Sequence, residues 1–426
     1  MSVVKIDSTG VLVVDGKKVF PIGFSEPPPV GAKASSGRPA LDELSVNGGN
    51  FVRTGPADFG HGEWGLGQID AQIAKVKARL DEAAKHGVKC WLYLGTVPNL
   101  PPRATGAPPT PKEQLLERIV NAFKGHAALG AYKGFDEPAN ATPPIGQAGL
   151  VRAYKKIRAL DPNHPIVIIQ APRKSADALK PYRPAFDVTG VDIFPISNPP
   201  TKHSDSANRD LSVVGDMTKK MTAAAGTKPV WTTLQIAWSG VIFHPRAAPK
   251  PPPVVPCFPS LDEERLMAYD AIVNGARGLM FFGGHLLQVC RPDDAKLGWN
   301  WAFWRRTLRP VVSELASEAV QPALLAPNAR DAIAVTGAKD VGLVARRAAG
   351  HLYVIAVKRG PSGSRVNFAG LPKRLKAGDV LNEYVQMPAP PPIRNDSQVL
   401  RPVTVANGAF SDWFRGHDVH VYRFKL

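Results

Sequence analysis

Along the first three-quarters of the chain apolar residues come in short continuous runs, and between the runs they recur at intervals of three and four. The runs predict strands at Phe20–Phe24, Phe51–Thr54, Lys89–Gly95, Leu129–Phe135, Pro165–Ala171, Val188–Pro195, Pro229–Gln235 and Gly278–Gly283. The spacing of three and four predicts helices over Gln68–His86, Pro111–Lys124, Gln147–Leu160, Arg209–Ala225, Leu261–Asn274 and Trp301–Ala316, with a weaker one over Pro39–Val46. Strands that are apolar on both faces need cover on both, which a parallel sheet wrapped in helices provides. Eight such units in succession predict an α/β fold, a (β/α)8 TIM barrel. An open doubly wound sheet would more often carry a Gly-rich phosphate loop after its first strand. Ahead of the barrel, Val11–Val14, the turn Asp15-Gly16 and Val19 predict a β-hairpin.

After Pro327 the pattern becomes alternation with turn signals. Ala332–Val335, Val341–Arg346, His351–Val357, Arg365–Phe368, Val380–Val385, Leu400–Val405 and Val419–Phe424 predict a small all-β sandwich domain. The expected division is an N-terminal hairpin (1–18), a barrel (19–325) and a C-terminal β-sandwich module (326–426).

Composition narrows the function classes. With 44% hydrophobic and 21% charged residues the chain is globular rather than disordered. Its 42 prolines concentrate in Pro101–Pro111, Pro245–Pro259 and Pro388–Pro392; the first two are strand-to-helix connections, on the face where a barrel carries its site. Lys plus Arg exceed Asp plus Glu, 53 to 36, which raises the question of nucleic acid. The basic residues nevertheless fall in pairs and triplets such as Arg346-Arg347 and Lys373-Arg374 with Lys376, with no basic stripe interleaved with aromatics, so no nucleic-acid partner is expected. The excess is densest after residue 325, where 15 basic residues meet 7 acidic ones. That suits a module adhering to acidic polymers, or simply a solvated surface.

Gly60-His-Gly-Glu-Trp-Gly65 matches G-x-G-x-x-G as a string, but it places a carboxylate and an indole where a phosphate would approach the backbone. No apolar stretch is long enough to span a membrane, and Met1–Gly10, broken by Lys5 and Asp7, does not read as a signal peptide. The three cysteines lack metal-ligand spacing and no two histidines flank a glutamate at i, i+4, so neither a metal nor a cofactor is expected. Cys257 and Cys290 lie on neighbouring connections, and a disulfide between them would imply a secreted or periplasmic protein; two thiols would leave a cytoplasmic one. Cys90 is expected in the core.

In a barrel, chemistry collects at the carboxyl ends of the strands. The fourth tip reads Phe135-Asp136-Glu137-Pro138. Two adjacent carboxylates there raise one another's pKa, and a carboxylic acid tuned upward can protonate a leaving-group oxygen. The other reading is an Asp capping the next element and a Glu paired with an arginine. The remaining tips supply Glu26, Arg53, Asp192 with Phe194 on the same side, Gln235, Trp238 and His285, and Trp299 follows the last strand. Arg53 would hold a neighbouring carboxylate ionised or form a structural ion pair, and exposed tryptophan faces would stack on sugar rings.

Gly49-Asn50-Phe-Val-Arg53, Asp136-Glu137-Pro138, Asp161-Pro-Asn-His-Pro165, Gly190-Val-Asp192-Ile-Phe-Pro195, Pro229-Val-Trp-Thr-Thr-Leu-Gln235, Glu264-Arg265 and Asn274-Gly-Ala-Arg-Gly278 together resemble the retaining (β/α)8 glycoside hydrolases of clan A over residues 19 to 320. The C-terminal module resembles their accessory sandwich. The resemblance implies an oligo- or polysaccharide substrate, Glu137 as general acid/base and a nucleophilic Glu at the seventh tip. At that tip this sequence has Gln235, which cannot form a glycosyl ester. Three readings stay open: Asp192 or Glu26 as the second carboxylate; a substrate-assisted hydrolase of 2-acetamido sugars using Asp136 and Glu137; or a barrel that binds carbohydrate without cleaving it.

Overall fold

The computed structural model describes residues 2–57, 60, 62–197, 203–237, 257–383 and 399–426. Its first sheet joins β1 (Val4–Ile6), β2 (Leu12–Val14) and β3 (Lys17–Val19), all antiparallel. Asp15 and Gly16, at φ 49° and 83°, form the expected turn between β2 and β3; β1 is an addition to the expected hairpin.

Eight parallel strands then close into a barrel: β4 (Ile22–Phe24), β5 (Phe51–Thr54), β6 (Lys89–Tyr93), β7 (Leu129–Lys133), β8 (Ile166–Gln170), β9 (Val188–Asp192), β10 (Val230–Gln235) and β11 (Ala276–Phe282). Each pairs with its sequence neighbour, and β11 returns to β4. Phe51, Trp91, Ala131, Val167, Val188, Trp231 and Met280 form one apolar cluster with Val4, Leu12 and Val14 of the small sheet. The small sheet also meets the barrel where strands begin, Asp15 pairing with Lys89 at the start of β6 at 3.1 Å and Val4 N–H donating to the Asn163 carbonyl just ahead of β8 at 2.8 Å, so it plugs the amino-terminal end of the barrel and leaves the carboxyl end for a site.

The α-helices that connect successive barrel strands are α1 (Ala40–Val46), α2 (Ile69–Lys85), α3 (Pro111–Phe123), α4 (Gln147–Leu160), α5 (Ala176–Leu179), α6 (Val213–Ala225) and α7 (Leu261–Val273). Capping boxes start two of them: Glu113 N–H donates to the Thr110 hydroxyl and Glu263 N–H to that of Ser260, both at 3.3 Å, while each glutamate accepts the cap's backbone N–H at 2.8 Å. The α5 unit gives little periodicity because it passes at once into a 3₁₀ turn, Lys180–Ala185, where Pro181 and Pro184 have no N–H to give. The expected helix Trp301–Ala316 is interrupted by a π turn at Trp304–Leu308, just ahead of Pro310, whose missing N–H cannot serve the Arg306 carbonyl.

The C-terminal strands are β12 (Ala334–Thr336), β13 (Val341–Ala348), β14 (His351–Lys358), β15 (Ser364–Ala369), β16 (Ala377–Glu383), β17 (Val399–Thr404), β18 (Ala409–Phe414) and β19 (Asp418–Lys425). They make a three-stranded sheet, β12-β15-β18, and a five-stranded one, β13-β14-β19-β16-β17, around Val354, Phe368, Phe410, Phe414, Tyr422 and Phe424. β18 escapes the sequence pattern because Asp412 takes a partly inward position between two phenylalanines, where Arg401, Tyr422 and His420 engage it. Arginines help to dock the sandwich on the barrel. Arg265 of α7 reaches Glu314 at 2.8 and 2.9 Å and the Val419 carbonyl at 2.8 Å, and Arg359 reaches Asp270 at 2.9 Å and Asp216 at 2.7 Å.

Of the two states open to Cys257 and Cys290, the structure has no disulfide between them. Cys290 is a thiol that donates to the Leu286 carbonyl, so it is not bridged to Cys257, and burial raises the pKa of both. Cys90 lies fully buried, with its thiol pushed up to about 12 by desolvation. Among the described residues no helix is long and apolar enough to cross a membrane, and no group of three His, Cys, Asp or Glu could hold a metal ion.

Candidate active site

A strand turns its side chains to alternate faces, so two residues beyond each apolar plug residue the next side chain again faces the barrel axis. Phe51 is followed by Arg53, Trp91 by Tyr93, Ala131 by Lys133, Gly190 by Asp192, Trp231 by Thr233 and Gln235, and Met280 by Phe282. A charged and aromatic layer thus sits directly on the apolar one. Gly190 is required below Asp192, because a Cβ there would lie 2.0 Å from the Trp231 carbonyl oxygen.

Three carboxyl groups interact in this layer. Glu137 follows β7 with φ and ψ both 47°, a left-handed conformation unusual for a residue with a side chain, and its N–H donates to the Ile169 carbonyl at 2.9 Å. Desolvation, then the charge of Asp136, raises its pKa to about 7, against the opposing pull of Lys133 and a hydrogen bond from Asn140. Asp192, at the end of β9, is raised to about 8 by desolvation and by the charges of Asp136 and Glu137, with Lys133 and the Thr233 hydroxyl opposing. Asp136 itself forms an ion pair with Lys133. Lys133 is buried and lies over the Tyr93 ring, 4.9 Å from its centroid, with Arg53 5.6 Å from the same centroid.

The other residues singled out in the sequence are placed as follows. Glu26 and Arg53 form a buried ion pair at the floor of the mouth, with only 0% and 3% of their side chains exposed. His285 approaches Glu26 at 3.9 Å; burial and the nearby Arg53 lower its pKa to about 4, so it is neutral. Phe194 is stacked between Phe282 and His203, at 5.4 and 4.5 Å between ring centroids. Gln235 is fully buried and spends both ends of its amide on one residue: Ile196 N–H donates to Oε1 and Nε2 donates to the Ile196 carbonyl, each at 2.8 Å. This is a clamp between the β10 tip and the loop after β9.

Trp299 requires a correction. It is completely buried against Phe24 and Trp301, and its indole N–H donates to the Glu26 carbonyl at 2.8 Å, so it supports the first tip and offers no face to a sugar. Trp238 lies outside the described residues. The glycine-rich loop serves a local purpose: Glu63 accepts the backbone N–H and hydroxyl of Thr96 at 2.9 and 2.7 Å. Gly95, at φ 60°, lies so close that a Cβ would sit 2.7 Å from that carboxylate.

Lys133, Tyr93, Thr233, Phe282, Asn140 and Arg173 belong to the site and were not anticipated. The first four follow from the two-residue step beyond an apolar interior position. Asn140 and Arg173 lie on connections, and Arg173 acts on both Glu137 and His203; no periodicity marks them.

No family model matches the chain. No curated protein sequence matches it. Solved structures do. A protein described as a glycoside hydrolase superposes with a TM-score of 0.65 at 13% identity, covering 99% of this chain and 96% of its own. A family 5 glycoside hydrolase from Bacteroides vulgatus gives 0.63 at 13%, covering 99% and 93%. An α-amylase from Geobacillus thermoleovorans, solved with acarbose, gives 0.53 at 12%, covering 91% and 90%. At such identities the likeness is one of fold: the chain has the (β/α)8 barrel and C-terminal β domain that those glycoside hydrolases share.

Proposed function

We propose that the mouth of the barrel, within residues 19–325, hydrolyses glycosidic bonds of an oligo- or polysaccharide, with Glu137 as general acid/base and Asp192 as the second carboxyl group. The observation that carries this reading is the pair itself. Two carboxyl groups, one on a left-handed residue, are both raised in pKa by desolvation and by the charge of Asp136, and the charge of Glu137 raises Asp192 further. Such a pair loses its protons in two steps, and between them one group is an acid and the other an ionised base or nucleophile. Glycoside hydrolysis needs that combination: the acid gives its proton to the glycosidic oxygen as the C–O bond breaks, and the ionised group either takes a proton from the attacking water or bonds to the anomeric carbon. The fold likeness supports this reading, and so does the engagement of Gln235 with Ile196, which gives the amide at the seventh tip a structural role. The commitment of Asp136 to Lys133 favours this pair over a mechanism in which Asp136 orients a 2-acetamido group.

The test is release of reducing sugar from a broad glycan panel by the wild type, Glu137→Gln and Asp192→Asn. Both variants are expected to lose about 10²–10⁴-fold in rate. On an activated aryl glycoside, whose leaving group needs no proton, Glu137→Gln should recover while Asp192→Asn should not; the reverse pattern exchanges the two roles. Equal release by wild type and Glu137→Gln, or none from any glycan, defeats the hydrolase reading in favour of a binding barrel. Activity confined to 2-acetamido sugars and retained by Asp192→Asn would favour substrate assistance.

A further inference from the structure

A cavity of about 240 Å³ lies away from the mouth, where the amino-terminal part of α7 meets the sandwich. At about 30 Å³ per water it would hold some eight waters, and it falls below the roughly 300–1,000 Å³ of pockets for drug-sized ligands. One small molecule fits it. Asn382, at the end of β16, lines it with 3% of its surface exposed, and neither its Oδ1 nor its Nδ2 has a hydrogen-bond partner. Buried amides are nearly always satisfied, and leaving one unmade costs free energy. Asn382 also holds a left-handed backbone, φ 55°, at the point where β16 ends.

The charges around the cavity are already matched. Arg265 is paired with Glu314, Glu383 with Arg401 at 3.1 Å, and Asp418 lies 3.4 Å from His420. Arg415 lies 3.9 Å from Asp262 and 3.7 Å from Asp418. A wall of matched ions gives an ionic ligand no unbalanced charge to neutralise, yet it offers donors and acceptors in plenty. An amide that is free to donate and to accept calls for a ligand that can do both, and a hydroxyl group can.

We propose that this interdomain cavity is a binding site for a single neutral, hydroxyl-rich molecule of monosaccharide size, read by the side-chain amide of Asn382. Because its walls come from both the barrel and the sandwich, an occupant bridges the two domains and stabilises their contact by mass action. This site is separate from the mouth and does not depend on any reaction there.

The experiment is thermal unfolding and calorimetric titration of the full chain with neutral pentoses and hexoses, with glucuronate and inorganic phosphate as anionic probes. At least one neutral sugar is expected to raise the melting temperature saturably in the millimolar range. Asn382→Gly, which tolerates the left-handed backbone, should weaken it by about tenfold or more, as expected for losing a buried amide's hydrogen bonds. Arg415→Ala alters the same wall at an exposed position and should also weaken binding, which keeps the test open if Asn382→Gly does not fold. Glu137→Gln should bind as the wild type does. The proposal falls if no neutral sugar saturates, if phosphate or glucuronate binds more tightly than every neutral sugar, if folded variants in the cavity bind as the wild type does, or if Glu137→Gln abolishes binding.

Discussion

A non-glycine residue in the left-handed region costs of order 1–3 kcal/mol and persists where its surroundings impose it. Glu137 is held there by its N–H bond to Ile169 and by the Asn140 N–H bond to its own carbonyl, both 2.9 Å. Its carboxyl is desolvated there and feels the charge of Asp136, and its own charge acts on Asp192, so the pH dependence of activity follows. The last proton of the pair leaves at about neutral to slightly alkaline pH, so kcat/KM is expected to fall through pH 7 to 8 as the acid is lost. Asp136→Asn removes a negative neighbour that raises both groups, and should move that limb to lower pH. A profile unchanged in Asp136→Asn would refute the coupling. Outside the mouth, Glu264 of α7 is fully buried with neither carboxyl oxygen hydrogen-bonded, and desolvation raises its pKa well above the ordinary value. Below the unfolded-state pKa both states are protonated and the group is neutral to stability. Above it only the unfolded state ionises, so the site costs about 1.4 kcal/mol per pH unit until the folded pKa is reached. Glu264→Leu should abolish that contribution and stabilise the protein at pH 7, as urea unfolding across pH would show; equal pH dependence in both proteins would contradict it.

At the scale of the element, most of the barrel strands carry an apolar interior residue and then a polar, charged or aromatic one two positions on. The strand tips were therefore legible in the sequence wherever the chemical residue was a carboxylate or arginine. Lys133 and Tyr93 obey the same step but read as ordinary strand ends, because nothing local says that Lys133 will find Asp136 or that Tyr93 will lie under two cations. Trp299 was misread for the converse reason: proximity to the tip in sequence does not reveal that packing by Phe24 and Trp301 covers its faces. Gln235 ties one tip to another, and a prediction belongs here. Gln235→Ala strands the N–H and carbonyl of Ile196 and should destabilise the protein by about 1–3 kcal/mol. Gln235→Glu faces a carboxylate to that carbonyl, so it should also destabilise and should give no gain in hydrolysis. A large gain in activity from Gln235→Glu would instead mark the seventh tip as the seat of the second carboxylate.

For the whole molecule, the decisive contacts are between domains. Asp270 is almost fully buried; burial raises its pKa to about 6, and Arg359, from the sandwich, draws it back down. Removing that arginine leaves a buried carboxyl without its counter-charge. Arg359→Ala should cost roughly 3 kcal/mol in urea unfolding and further raise the Asp270 pKa, so that the loss grows with pH; a loss below about 1 kcal/mol would make the contact incidental. The sequence by itself determined the barrel, the sandwich and the carboxylates at the fourth and sixth tips, because strand and helix periodicities are local properties of the chain and the tips follow from strand order. Only the tertiary structure decided which tip residues meet, that Glu26 and Arg53 neutralise one another, that Gln235 and Trp299 brace the mouth, and that Asn382 lies buried and unbonded between domains. Those outcomes depend on distances between residues far apart in sequence and on the desolvation that packing imposes, and neither is written in any local stretch.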